Sequence, residues 1–154
     1  YPGGAALDKL AQQGDPAAYD FPRSYVGELD FSFSGIKTSL LYKLKALPEG
    51  EFEGARADLA ASYQAAVVEM LVQRVKDAID QTGIDRVAIG GGVAANTKLR
   101  EDIRAVASVV KVPPRELCTD NAAMIAAAAL AGGAGESLDF AAMDAYPSGQ
   151  SPAA

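Results

Sequence analysis

The chain contains no histidine. Its 154 residues therefore lack the commonest metal ligand and general base of proteins. Neither a Ser-His-Asp nor a Cys-His set can be assembled from them. Cysteine occurs once, at Cys118, which excludes an internal disulfide and fits a reducing, cytoplasmic setting. With no imidazole to activate it, Cys118 reads as a small core hydrophobe rather than a nucleophile. No apolar run is long enough to span a bilayer; the most apolar stretch, Ala122–Gly132, is short and rich in alanine. Tyr1-Pro2-Gly3-Gly4 reads as a turn, not as a charged region leading into an apolar core, so a signal peptide is not expected. No Met stands first, which points to a fragment or a processed chain. Positive charge is also scarce: 14 Lys and Arg face 20 Asp and Glu, a net charge of −6. That argues against a sequence-independent grip on nucleic acid by this surface alone. It leaves open an RNA held by a partner or by another segment.

What is present suits one domain with a core: 49% of residues are hydrophobic and 22% charged. Ala5, Leu7, Leu10 and Ala11 recur at helical spacing, and Gly14-Asp15-Pro16 ends that helix. Phe21-Pro22-Arg23 reads as extended. Leu29, Phe31 and Phe33 alternate with Asp30, Ser32 and Ser34, the period of a half-buried strand closed by Gly35. Ile36–Leu47 then reads as a helix, and Pro48-Glu49-Gly50 breaks it. The longest helical pattern runs from Phe52 to Thr82, with Glu69, Gln73, Lys76 and Asp80 on its wet side and Gly83 as its terminator. A strand over Arg86–Ile89, a helix over Asn96–Ala107, a strand over Val109–Val112 and a helix over Ala122–Ala131 follow. Strands alternating with helices predict an α/β layered fold. They predict further that Phe31, Phe33, Val87 and Ile89 lie in buried strands of one sheet, flanked by the Phe52–Thr82 helix.

Gly90, Gly91 and Gly92 lie between a strand and a helix. Glycines there let a ligand approach the backbone, and the helix start offers free N–H groups. A plain structural turn is the competing reading. Asn96 caps its helix or presents its amide to a ribose or base edge. Gly3-Gly4 with Asp8 is a plain helix start, or Gly4 admits a sugar while Asp8, one turn along, accepts a hydroxyl. Thr119-Asp120-Asn121 is an N-cap, or Asp120 is a metal- or phosphate-side carboxylate. If the strands before Gly90–Gly92 and before Asp120 are parallel neighbours, both turns lie at one edge of one cleft, where α/β sheets gather ligands. Asp30, Ser32 and Ser34 read as a solvated face.

Four segments in order resemble the TsaD family. They are Tyr1-Pro2-Gly3-Gly4 through Leu7-Asp8-Lys9-Leu10-Ala11, Gly14-Asp15 and Phe21-Pro22-Arg23; Leu29–Thr38; Gly91-Gly92-Val93-Ala94-Ala95-Asn96 with Leu99-Arg100; and Cys118–Ala126. The resemblance covers residues 1 to about 132 and is specific. It implies the C-terminal half of an actin-like ATPase fold, the α/β fold of sugar kinases and heat-shock ATPases, over residues 1–135. Residues 136–154 are then a tail, expected to be partly disordered. The implied activity is transfer of threonylcarbamoyl from threonylcarbamoyl-AMP to N6 of the adenosine beside the anticodon, in tRNAs reading codons that begin with A. Carried over by residue, Gly4, Asp8, Gly91, Gly92 and Asn96 would bind the nucleotide, ATP or the adenylate. Asp120 would hold one divalent metal, Fe or Zn, with two histidines of an HxxxH motif that this chain does not contain. The 154 residues by themselves are therefore expected to be inactive. The implied partners are tRNA and TsaB-like and TsaE-like proteins. Two rivals share the fold: a small-molecule kinase and a non-catalytic TsaB-like scaffold. The first lacks the Phe31–Gly35 signature, and the second is not expected to keep both the Asn96 loop and Asp120.

Overall fold

The computed structural model describes residues 3–131. Tyr1, Pro2 and the tail expected over residues 136–154 lie outside the described residues. The chain divides between Asp120 and Asn121 into two compact units. The first holds helix α1 (Gly3–Ala11), strands β1 (Tyr25–Val26) and β2 (Asp30–Phe31), helices α2 (Ser34–Ala46) and α3 (Phe52–Thr82), strand β3 (Arg86–Ala88), helix α4 (Thr97–Arg104) and strand β4 (Val109–Lys111). The described part of the second is helix α5 (Ala122–Ala131). Asn121 opens α5, its Oδ1 accepting the Met124 N–H at 2.9 Å. Gly3 and Gly4 form the first turn of α1, which bears out their reading as a helix start rather than as a turn.

Helix α3 organises the first unit. Its bounds are those the periodicity predicts, and Gly83 ends it in the left-handed conformation (φ 68°), its N–H bonding the Ile79 carbonyl. Glu69, Gln73, Lys76 and Asp80 are exposed as expected. Between Leu59 and Arg74 the other faces are largely buried, because α3 lends residues to three apolar clusters. Leu59 and Ala66 pack with Phe21 and Ile36. Val68 and Val72 pack with Leu99 and Ile103, and with Val87 and Val110 of the sheet. Ala60 and Ala61 receive Ala11 of α1. The α1–α3 approach depends on small residues. A Cβ on Gly14 would fall onto the Ala57 carbonyl, so the loop leaving α1 touches the α3 backbone only because it carries glycine. Asp58 Oδ1 then accepts the Asp15 N–H at 2.8 Å, and buried Ser62 bridges the Tyr19 N–H and the Asp15 carbonyl.

Strands β3 and β4 are parallel neighbours, with Arg86 opposite Val109, Val87 opposite Val110 and Ala88 opposite Lys111. The expectation of one sheet holding both phenylalanines and Val87 fails. Only Asp30–Phe31 of the alternating run is a strand, and it pairs antiparallel with β1 in a separate hairpin. Phe31 is 46% exposed, and its ring stacks on that of half-buried Phe33. The reason lies in α3. Buried Arg74 donates to the carbonyls of Val26, Gly27, Glu28 and Asp30 at 2.7–3.4 Å. It also stands over the Tyr25 ring. These carbonyls are held by a side chain rather than by a longer ladder, and α2 begins at Ser34, two residues earlier than its apolar stripe suggests. Helix α4 is shorter than the expected 96–107 span, ending at Arg104. Among the described residues, no helix is long and apolar enough to cross a membrane.

Candidate nucleotide-side site

Parallel pairing places the segments leaving β3 and β4 at one edge of the sheet, and Ile89 N–H still bonds the Lys111 carbonyl at 3.0 Å. After β3 the chain turns through Gly90–Gly92. Gly91 has φ 77°, a conformation open to glycine and costly for other residues. One 3-10 turn, Gly92–Ala95, carries the chain to Asn96. A Cβ built on Gly90, Gly91 or Gly92 would meet nothing within 4 Å among the described residues. The same holds for Gly4. For Gly4, Gly90 and Gly92, neither packing nor a left-handed backbone explains the glycine.

Asn96 is the N-cap of α4, its Oδ1 accepting the Leu99 N–H at 2.9 Å. Its amide nitrogen donates to Asp8 Oδ1 at 3.1 Å and to Gln64 Oε1 at 2.9 Å. Asp8 is buried in α1 and accepts further from the Thr97 hydroxyl at 2.9 Å and from the Thr97 N–H. Arg115 donates to the same hydroxyl at 2.8 Å. The structure thus brings together two residues singled out separately in the sequence, Asp8 and Asn96, and ties them to α3 through Gln64. Gly91 and Gly92 stand four to five residues before Asn96, and Gly4 lies one helical turn before Asp8, on the same side of α1. A cleft of about 400 Å³ beside this junction is lined by Asp8, Gln12, Gln64, Thr97, Lys98 and Glu101, among others.

Asp120, on the segment that leaves β4, does not join the Asp8–Asn96 hydrogen-bond group. Its side chain is exposed and makes no hydrogen bond or ion pair among the described residues, and the helix after it is capped by Asn121. No group of three His, Cys, Asp or Glu side chains gathers among the described residues. A lone carboxylate is a weak transition-metal site, so Asp120 fits such an ion as one donor only. Cys118, two positions earlier, is buried as expected.

The sequence reading passed over Gln64, Thr97 and Arg115. Gln64 carried a usable signal: it follows Ala60 by four and precedes Val68 by four, a polar residue on an apolar helical face. Thr97 and Arg115 gave none, since their roles depend on segments distant in the chain.

Residues 1–127 match the family described as TsaD: tRNA N6-adenosine threonylcarbamoyltransferase. The chain belongs to the TsaD family. It is 50% identical over 137 residues to the tRNA N6-adenosine threonylcarbamoyltransferase of Bordetella avium, covering 84% of this chain and 40% of that protein. It is 47% identical to that of Variovorax paradoxus over an alignment of 156 positions, covering 96% of this chain and 44% of the relative. For the Anaeromyxobacter dehalogenans protein the identity is 50% over 137 residues, covering 83% and 40%. The chain thus spans about two fifths of the length of these curated relatives. It is a TsaD-family segment of mixed α/β structure.

Proposed function

We propose that these residues form the nucleotide-side half of a tRNA N6-adenosine threonylcarbamoyltransferase, complete only in a chain of full family length. The observation that carries this reading is the meeting of Asp8 and Asn96, 88 positions apart, next to a glycine turn with a bare surface. Gly91 and Gly92 would let the adenylate lie on the backbone, and Gly4 would leave room one turn before Asp8. Asp8 and Asn96 would contact the nucleotide from a junction whose geometry Gln64 and Thr97 hold. From the family membership we infer that β3 and β4 belong to an actin-like ATPase core, and a parallel pair by itself leaves apolar strands short of cover.

In the proposed reaction N6 of the adenosine beside the anticodon bonds to the carbamoyl carbon of threonylcarbamoyl-AMP. The bond from that carbon to the phosphate oxygen breaks, AMP leaves with the electron pair, and N6 gives up a proton. Asp120 would supply one ligand to a divalent metal, Fe or Zn, which when bound would offset charge on the departing phosphate. Basic surface for tRNA, the remaining ligands and contacts to TsaB-like and TsaE-like partners would come from outside this chain, in keeping with its net charge of −6. A cytoplasmic setting suits that assembly.

The test is nucleotide binding by calorimetry in a chain of full family length. Asn96→Ala should weaken ATP binding by about 0.5–1.5 kcal/mol, several-fold in affinity. Unchanged affinity at matched stability would remove Asn96 from the nucleotide site.

A further inference from the structure

Arg100, in the middle of α4, reaches two segments at once. Its Nε donates to the carbonyl of Ala94, in the turn between the glycines and Asn96, at 2.6 Å. Its Nη2 donates to the carbonyl of Pro113 at 2.7 Å and to Cys118 Sγ at 3.1 Å, both in the segment that follows β4 and runs to Asp120. The Cys118 thiol in turn faces the Pro113 and Pro114 carbonyls. Among the described residues no carboxylate pairs with Arg100. Its guanidinium is engaged instead with the main chain of both segments. We propose that Arg100 is a positioning residue that couples the glycine turn to the segment ending in Asp120.

The chemistry of the side chain fits that task. A guanidinium offers donors in a fixed planar fork, so bonds from Nε and Nη2 set a distance and an angle between their acceptors. Lysine at the same place keeps the charge and loses the fork. Charge-assisted bonds of this kind are stronger than neutral ones, and Arg100 is partly withdrawn from solvent. The Ala94 acceptor lies two residues before Asn96, and on the other side Cys118 lies two residues before Asp120. The Arg100 guanidinium bonds neither Asn96 nor Asp120, and only its main-chain N–H meets the Asn96 carbonyl, at 3.3 Å, so the effect of the side chain on either acts through the backbone. The inference rests on the reading of Gly91, Gly92 and Asn96 as nucleotide-side and of Asp120 as metal-side.

The experiment uses a chain of full family length with four variants: Arg100→Met, Arg100→Lys, Asn96→Ala and Asp120→Ala. ATP affinity is measured by calorimetry on metal-stripped protein, and Fe or Zn content by elemental analysis after loading. Circular dichroism fixes the folded fraction. Arg100→Met is expected to lower ATP affinity and metal retention about tenfold each, per folded molecule, the size of one lost charge-assisted hydrogen bond. Arg100→Lys should fold like the parent and show the same paired loss, only smaller. If Asn96→Ala and Asp120→Ala lose their ligands while both Arg100 variants keep ATP and metal, the coupling is wrong and the site reading stands. If Asn96→Ala and Asp120→Ala themselves keep their ligands, the site reading fails and the coupling falls with it. Failure of Arg100→Lys to fold would make the residue structural and would also overturn the proposal.

Discussion

The Asn96 amide donates to the Asp8 carboxylate across 88 positions of sequence, at 3.1 Å. The same nitrogen donates to Gln64, while the amide oxygen caps α4. Capping and ligand contact, alternatives on sequence grounds, are compatible in this arrangement. Both amide hydrogens are committed inside the protein, so a nucleotide touching this side chain in the observed conformation must use the remaining lone pair of Oδ1. Asp8 is similarly occupied, with Asn96 and Thr97 as its donors. The bonds that bind α1, α3 and α4 together therefore also hold the proposed nucleotide side in shape.

Asp8→Ala tests that double duty through stability. It removes the acceptor for the Thr97 hydroxyl, the Thr97 N–H and one Asn96 amide hydrogen, in a place the solvent barely reaches. Leaving buried donors unpaired costs about 1–3 kcal/mol. Urea unfolding of the 154-residue chain should show that loss, with Asp8→Asn less affected. An unchanged midpoint in Asp8→Ala would mean that the junction contributes nothing to folding.

Gly14→Ala tests the close approach of the α1 exit to α3. The new Cβ would overlap the Ala57 carbonyl, and main chain at both sides leaves no flexible group to yield. Overpacking of this kind costs about 1–3 kcal/mol or more. A thermal midpoint equal to the parent's would show that the loop has room to move away. The Asp15–Asp58 and Ser62 contacts argue against such room.

Helix α3 was legible in sequence because its apolar periodicity runs for 31 residues, and length outweighs local noise. β3, β4 and α5 were legible for a related reason: Gly83, Pro113 and the Asn121 cap punctuate them. The run from Leu29 to Gly35 misled, because period two marks a possible strand but not its partner. Arg74, more than forty positions away, takes the carbonyls of Asp30 in that run and of Glu28 just before it, and no local pattern encodes that. The site divided in the same way. Gly91 shows in sequence as a backbone requirement, and Asn96 as a cap. That Asn96 meets Asp8, or that Arg100 spans two segments, follows from the packing of α1 and α4 on α3 and becomes visible only in three dimensions.

The hairpin should respond to acid through Asp77. Hydrogen bonds from Gln73, then from Arg74, hold its carboxyl below the ordinary 3.8, and its Oδ2 meets Arg74 at 2.9 Å. A carboxyl whose folded value is depressed contributes stability above its unfolded value, and that contribution is lost as pH falls through the folded one. Asp77→Asn should therefore be less stable than the parent at pH 7. The gap should narrow once pH drops below about 4. Thermal midpoints across that range check this. A gap of constant size down to the lowest pH would detach the effect from ionisation of Asp77.

Asp120 offers the cleanest separation of binding from folding. Its side chain is exposed and unpartnered among the described residues, and Asn121 rather than Asp120 caps α5. Asp120→Ala should thus change stability by less than about 0.5 kcal/mol, as for other surface positions without special contacts. In a chain of full family length, with TsaB-like and TsaE-like partners supplied, the same substitution should lower both metal content and tRNA modification. The 154-residue chain, in which no three ligand side chains gather among the described residues, should bind Fe or Zn weakly and leave tRNA unmodified. Elemental analysis beside a modification assay reads both expectations. Full activity and full metal in Asp120→Ala would take this carboxylate out of the metal site. Tight stoichiometric metal in the 154-residue chain would mean that the ligands come from within it.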